Sequence, residues 1–240
     1  HLIELRDRIV KAVYGLGLVC LILMVWPGPA TIYDFLAQPM LESLPAGSQM
    51  IATGVISPFL VPMKVTLLAA FVIALPWVLY QVWAFIAPGL YAHEKRLIAP
   101  LVISSTLLFV AGVAFCYFLV FGRVFHFINE FAPQSIHVAP DIENYLDFIM
   151  SMCLAFGVTF EVPVVVVVLV RMGIVPLDKL KAIRPYVIVG AFIVAAVVTP
   201  PDVVSQFSLA LPMWLLYELG LIVAPMFVRA TKSPQSEESI

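Results

Sequence analysis

The sequence predicts an all-α membrane protein of six transmembrane helices with both termini on the cytoplasmic side, and three observations carry that prediction. Of 240 residues, 62% are hydrophobic and only 12% charged, more apolar sequence than a soluble domain of this length uses. The apolar residues gather into six runs, at 9–26, 65–85, 97–121, 146–170, 186–198 and 203–228. Of the 13 Lys and Arg residues, all but Lys64 and Arg123 fall in the N-terminal segment, the second and fourth connectors or the tail. Those segments lie on one side of an alternating path, which the positive-inside rule makes the cytoplasm. The opposite face is acidic, with Asp34, Glu42, Glu130, Asp141, Glu143, Asp147 and Asp202. A β-barrel is excluded because the runs lack dyad alternation.

The chain is read as one integral domain, 1–240, without linker, repeat or low-complexity segment. Each run is compared with the ~20 residues that cross ~30 Å of hydrocarbon. The first, 9–26, is too long for a signal peptide and lacks a small-residue cleavage site, so no cleavable leader is expected. The outer loop 27–64 holds six prolines together with Phe35, Leu36, Met40 and Leu44, a composition that predicts a packed cap. Within it, Ser57-Pro58 has the form of an N-cap followed by a first-turn proline. The inner loop 86–96 joins the second and third spans. The outer loop 122–145 is long enough to fold back onto the cap. The inner loop 171–185 contains Asp178 as a candidate cap for a short helix ahead of Arg184-Pro185. The fifth run, 186–198, reaches only ~20 Å at the helical rise. The outer loop 199–202 is a tight turn, with Asp202 placed to cap the sixth helix. Pro212 and Pro225 interrupt that sixth run, so its usable span is expected to be short as well. From Ala230 the tail is polar.

Catalytic patterns are missing: the sequence has no HExxH, no Gly-x-Ser-x-Gly, no phosphate-binding glycine loop and no paired intramembrane aspartates. His1, His93, His126 and His137 are scattered over both faces. Cys20, Cys116 and Cys153 all lie within apolar runs and read as small hydrophobes in helix packing. No enzyme, cofactor or metal is expected.

Glu161 stands out as a carboxyl at bilayer depth, about 15 Å in from the cytoplasmic end of its run. A central charge there disfavours insertion by roughly 2.5–3.5 kcal/mol, so such groups face the protein interior or a wet cavity. Pro163 removes a backbone donor and can kink the helix beside it. Two readings follow: a hydrogen-bonded acid that fixes packing, or one facing a polar groove open to a partner or to protons. Glu218 lies at similar nominal depth, or near the inner interface if Pro225 ends its helix early. Gln206 offers a polar group near the outer start of helix six. On the inner face, Glu4 and Arg8 stand at i, i+4, a surface pair worth ~0.3–0.5 kcal/mol, and Glu94 is an acid beside Lys95 and Arg96. Two carboxylates on a mostly basic face also suit bidentate capture of an arginine-bearing ligand.

Five stretches together resemble one family. They are His1–Arg8 (HLIELRDR), Tyr80–Tyr91 (YQVWAFIAPGLY) with His93-Glu94-Lys95-Arg96, Phe156–Pro163 (FGVTFEVP), Arg184–Val187 (RPYV) and Thr199–Asp202 (TPPD). They resemble TatC, the multi-spanning core of the twin-arginine protein translocase, and its proteobacterial members in particular. A slightly longer Trp26–Ile32 stretch before the cap is the one departure.

The resemblance implies a cupped, glove-like bundle in the bacterial inner membrane that serves as receptor for twin-arginine signal peptides of folded proteins. It implies that Glu4, Glu94 and Phe85 meet the signal peptide. It puts Glu161 on the concave face where partner helices pack, and Gln206 and Asp202 near a partner-contact region. The partners implied are TatA- and TatB-like single-span proteins, other copies of the chain and the bilayer, with no nucleic acid, and transport draws on the proton-motive force. The alternative is a small proton-coupled secondary transporter with Glu161 as proton carrier, although repeat symmetry is not apparent.

Overall fold

The computed structural model describes residues 2–43, 50–86, 98–131, 141–199 and 202–229. Among them it is helical, with one isolated bridge between Ile51 and Asp141. The elements are α1 (Leu2–Val25), α2 (Pro29–Ser43), α3 (Ser57–Ile86), α4 (Ile98–Phe115), a π-helical segment (Cys116–Val120), α5 (Phe121–Phe131), α6 (Ile142–Phe160), α7 (Val162–Arg171), α8 (Leu177–Ala182), α9 (Arg184–Val198) and α10 (Val203–Arg229). Five described stretches are long and apolar enough to cross a membrane: Ile3–Val25, Ser57–Ile86, Ile98–Phe127, Ile142–Arg171 and Val203–Met226. The sixth apolar helix is α9, whose 15 residues reach about 22 Å, short of the ~30 Å of hydrocarbon.

The chain divides into two compact units, His1–Gly157 and Val158–Ile240. In the first, α1 packs along α3. The indole of Trp77 occupies the notch left by the missing side chain of Gly15 and donates to the Lys11 carbonyl at 2.9 Å. α3 holds α4 through a buried bond from Trp83 Nε1 to Ser105 Oγ, 3.2 Å, and through the edge-to-face rings of Phe71 and Phe109. The Phe109 ring leaves no room for a side chain at Gly157, where an added Cβ would come within 2.5 Å of it. Phe121, Phe125, Tyr145 and Phe148 join α5 to α6 in one aromatic cluster.

Two connectors contain more helix than the sequence reading assigned. The loop 27–64 holds the whole of α2 and the first two turns of α3. Residues 122–131 continue the third span as α5, and α2 packs on α3 and α5. Tyr117, in the π segment, stacks on Phe35 at 5.5 Å and donates to its carbonyl at 2.6 Å. Burial of aromatic area thus orders what composition alone marks as a loop.

In the second unit, α7, α8 and α9 pack on α10 around Val166, Leu180, Tyr217, Leu221 and Ala224. α7 ends in a Schellman motif: Gly173 takes φ +68°, its N–H donates to Val170, and the Ile174 N–H reaches back to Leu169. Two expectations are corrected here. Helix six is not short: α10 runs 27 residues, about 40 Å, straight through Pro212 and Pro225. Neighbouring groups in a spanning helix can satisfy what a proline frees, so the break is avoided. Asp178 does not cap α8 either; Pro176 holds the N-cap position and Asp178 sits in the first turn.

Candidate functional site

The residues singled out for arginine recognition belong to the first unit. Glu4 lies in the first turn of α1, half-buried, and both Nε and Nη2 of Arg8 donate to its Oε1, at 3.3 and 3.1 Å. Arg6 is engaged by Asp7 instead. Phe85 is partly buried in the last turn of α3. Glu94 lies outside the described residues.

Glu161 does not sit in the middle of a continuous helix, as the apolar run suggested. It is the single turn residue between α6 and α7, at φ −76° and ψ −16°. Pro163 explains the break: it has no N–H for the Thr159 carbonyl, and its ring displaces the chain there. The backbone closes a tighter turn, with Glu161 N–H on Val158 O at 3.0 Å, and resumes α-helix when Val165 N–H reaches Glu161 O at 3.0 Å. One carboxylate oxygen, Oε1, is fully enclosed. Two residues on, Pro163 Cα would lie 3.0 Å from a Cβ on Gly220, so Glu161 lies next to a close approach of α7 to α10.

Asp202 and Gln206 form a second, separate place. Asp202 caps α10, its Oδ1 accepting the Ser205 N–H at 2.7 Å. Gln206 Nε2 approaches the Phe192 carbonyl at 3.5 Å, beside the edge-to-face rings of Phe192 and Phe207. Fourteen residues of α10, about 21 Å, separate Gln206 from Gly220, so the fold does not bring Gln206 and Glu161 together.

Two polar clusters escaped the sequence reading. In the second unit, Arg184 Nη2 donates to Glu218 Oε2 at 2.8 Å, and the adjacent Tyr217 hydroxyl donates to Leu180 O at 2.8 Å. Glu218 is therefore a paired charge that pins the start of α9 to α10, while Tyr217 ties α8 to the same helix. In the first unit, Lys64 Nζ meets Glu143 Oε1 at 3.3 Å and Asp147 Oδ1 at 3.2 Å, and Ser57 Oγ donates to Glu143 Oε2 at 2.6 Å. Beside them Asp141 caps α6 through the Asn144 N–H and accepts both the N–H and the hydroxyl of Thr53. The one signal was that Lys64 broke the charge partition.

This staple has a pH dependence with a definite sign. The Thr53 N–H and hydroxyl, then the neighbouring N–H groups of α6, hold the Asp141 carboxyl below the usual carboxylate range. Its contribution is complete above the ordinary value of about 4 and is lost as pH falls through the lowered folded value. Amide exchange in residues 51–57 is expected to accelerate below about pH 4, and Asp141→Asn to produce the faster exchange at neutral pH. Exchange independent of both would show that the carboxylate does not hold this segment.

Known proteins resemble this chain over most of its length. A family profile described as Sec-independent protein translocase protein (TatC) matches residues 1–212. The TatC of Halothiobacillus neapolitanus is 51% identical over 237 residues, which are 99% of this chain and 64% of that protein. The Escherichia coli K12 protein is 47% identical over 228 residues, 95% of this chain and 88% of its own length. A solved structure of the twin-arginine translocase receptor TatC superposes with a TM-score of 0.83 at 34% identity, covering 97% of this chain and all of that one.

Proposed function

The chain belongs to the TatC family of Sec-independent protein translocase proteins, and from that premise we propose that it is the signal-peptide receptor of a twin-arginine translocase. It docks folded proteins through their twin-arginine signals. It recruits TatA- and TatB-like single-span partners and further copies of itself, and transport draws on the proton-motive force. It is a multi-pass protein of the bacterial inner membrane with both termini in the cytoplasm, and its work is recognition rather than catalysis. The carrying observation is the likeness to a solved twin-arginine translocase receptor over 97% of the chain.

The contacts around Glu4 support this reading. Consecutive spans run in opposite directions, and Trp77 of α3 meets Lys11 of α1. Moving from Lys11 to Glu4 and from Trp77 to Phe85 advances each helix about 10–12 Å toward the same end. An acid and an aromatic ring thereby share one level of the helix pair. The Arg8–Glu4 pair is a half-buried i, i+4 contact near the surface that a peptide guanidinium can replace at modest cost. The test is binding of a twin-arginine peptide and its twin-lysine counterpart to the chain in nanodiscs. Tighter binding of the arginine peptide is expected; equal affinity would reject the receptor role.

Glu161 is proposed as a polar anchor for a partner's transmembrane helix. Glu161→Gln keeps the shape and a hydrogen-bonding end, so site-specific crosslinking to a single-span partner is expected to stay within about twofold, whereas Glu161→Ala lowers it about tenfold, the effect of one lost hydrogen bond at the upper end of the ordinary range. A Gln variant as defective as Ala would point to titration at this carboxyl instead.

A further inference from the structure

Arg171, Lys179, Lys181 and Arg184 stand close together in the sequence, all in the second unit. Asp178 and Glu218 are the acids beside them, so the α8–α9 corner carries a formal charge of +2. α8 is held firmly there: Leu180 is buried, and its carbonyl accepts the Tyr217 hydroxyl at 2.8 Å. With Leu180 turned inward, the helical period sends Lys179 and Lys181 out on either side of it, and both are exposed. Arg184 is positioned by Glu218 at 2.8 Å, yet its side chain is 44% exposed and its guanidinium has further N–H donors. Tyr186, two residues on, is 76% exposed, and tyrosines so placed gather at the level of lipid headgroups. The length of α9 sets the depth. Its 15 residues span about 22 Å. With Thr199 and Asp202 at one edge of ~30 Å of hydrocarbon, Arg184 stands about 8 Å short of the other. Basic side chains at that depth extend toward phosphates, and the bilayer thins to bring the phosphates to them.

We propose that the α8–α9 corner is a binding site for a phospholipid carrying two phosphates, of the cardiolipin type. The ammonium groups of Lys179 and Lys181 and the remaining donors of Arg184 bind the phosphate oxygens, and the Tyr186 ring lies along the glycerol and the upper acyl chains. Basic clusters at the cytoplasmic ends of spanning helices suit such headgroups. The charge of +2 is met in full by two phosphates, half by a lipid with one, and not at all by a zwitterion. On the topology proposed above, the lipid belongs to the inner leaflet. Binding itself does not rest on peptide recognition, which uses Glu4 in the first unit.

The experiment titrates cardiolipin into the full chain in detergent and follows retained lipid by native mass spectrometry, with phosphatidylglycerol and phosphatidylcholine alongside. Affinity is expected to fall in that order. Lys179→Gln combined with Lys181→Gln is expected to lower cardiolipin affinity about 30-fold while melting with the parent, and Lys179→Arg combined with Lys181→Arg to preserve it. Lys11→Gln, which removes a cation from the first unit, is expected to leave it unchanged. Inorganic phosphate at constant ionic strength is expected to displace none of the lipid. Undiminished binding in the double glutamine variant, an equal loss in Lys11→Gln, or phosphatidylcholine held as tightly as cardiolipin overturns the site. Phosphatidylglycerol held as tightly as cardiolipin overturns the two-phosphate preference, and displacement by inorganic phosphate overturns the lipid as ligand. No peptide is present, so failure of the receptor reading leaves each of these results unchanged.

Discussion

Replacing Glu4 and Glu94 together by glutamine is expected to lower affinity for a twin-arginine signal peptide about 100-fold, with each single replacement giving about tenfold. A hydrogen bond to a charged group contributes about 1.5–3 kcal/mol, and solvent exposure at Glu4, whose side chain is 40% accessible, favours the low end. Each loss of 1.4 kcal/mol is tenfold in affinity. The twin-lysine peptide is expected to respond less, since an ammonium makes no bidentate bond for the neutral amide to disrupt. Thermal stability is expected to stay nearly constant, because the Glu4–Arg8 pair that is lost is worth only ~0.3–0.5 kcal/mol. Fluorescence anisotropy with labelled peptide, run beside a melting curve, separates the two effects. Silent variants would leave a scaffold without ligand recognition.

The second large effect is structural. Gly220→Leu is expected to destabilise the second unit by about 3 kcal/mol, the upper end of the range for overpacking. A Cβ at that position would stand 3.0 Å from Pro163 Cα and 3.0 Å from Val166 Cβ. The first of these is backbone and cannot rotate away. Small residues let spanning helices approach this closely, so any side chain here must push α7 from α10. The displaced partners include Tyr217 and Leu180, whose 2.8 Å bond ties α8 into the same packing. Gly220→Ala is expected to cost about half as much. Thermal unfolding in detergent checks both; a leucine variant that melts with the parent would show that α7 and α10 do not close at Gly220.

Much of the architecture was legible because membrane helices declare themselves by length and apolarity. The Asp202 cap could be read from the turn Thr199-Pro200-Pro201-Asp202, and the shortness of α9 from the gap between Arg184 and Thr199. What stayed hidden depends on neighbours that a one-dimensional reading lacks. Pro163 breaks its helix while Pro212 and Pro225 do not, and nothing in the three local sequences separates those outcomes. Glu218 looked like Glu161, an acid at nominal depth, until Arg184 was found 34 residues away in sequence and 2.8 Å away in space. Composition marked 27–64 as a proline-rich loop, yet Phe35 has Tyr117 to stack on, and α2 forms. Glu161 itself was visible at once, but its place in a one-residue turn and not within a helix follows from Pro163 lying two residues on.

Lys64 gives the first unit an order of assembly. It leaves the ribosome 79 residues ahead of Glu143, and chains fold from the N-terminus during synthesis. Until α6 has been made, the lysine in the first turns of α3 lacks the carboxylates of Glu143 and Asp147. A chain halted after α5 lacks both of these partners of Lys64, and a chain that completes α6 supplies them.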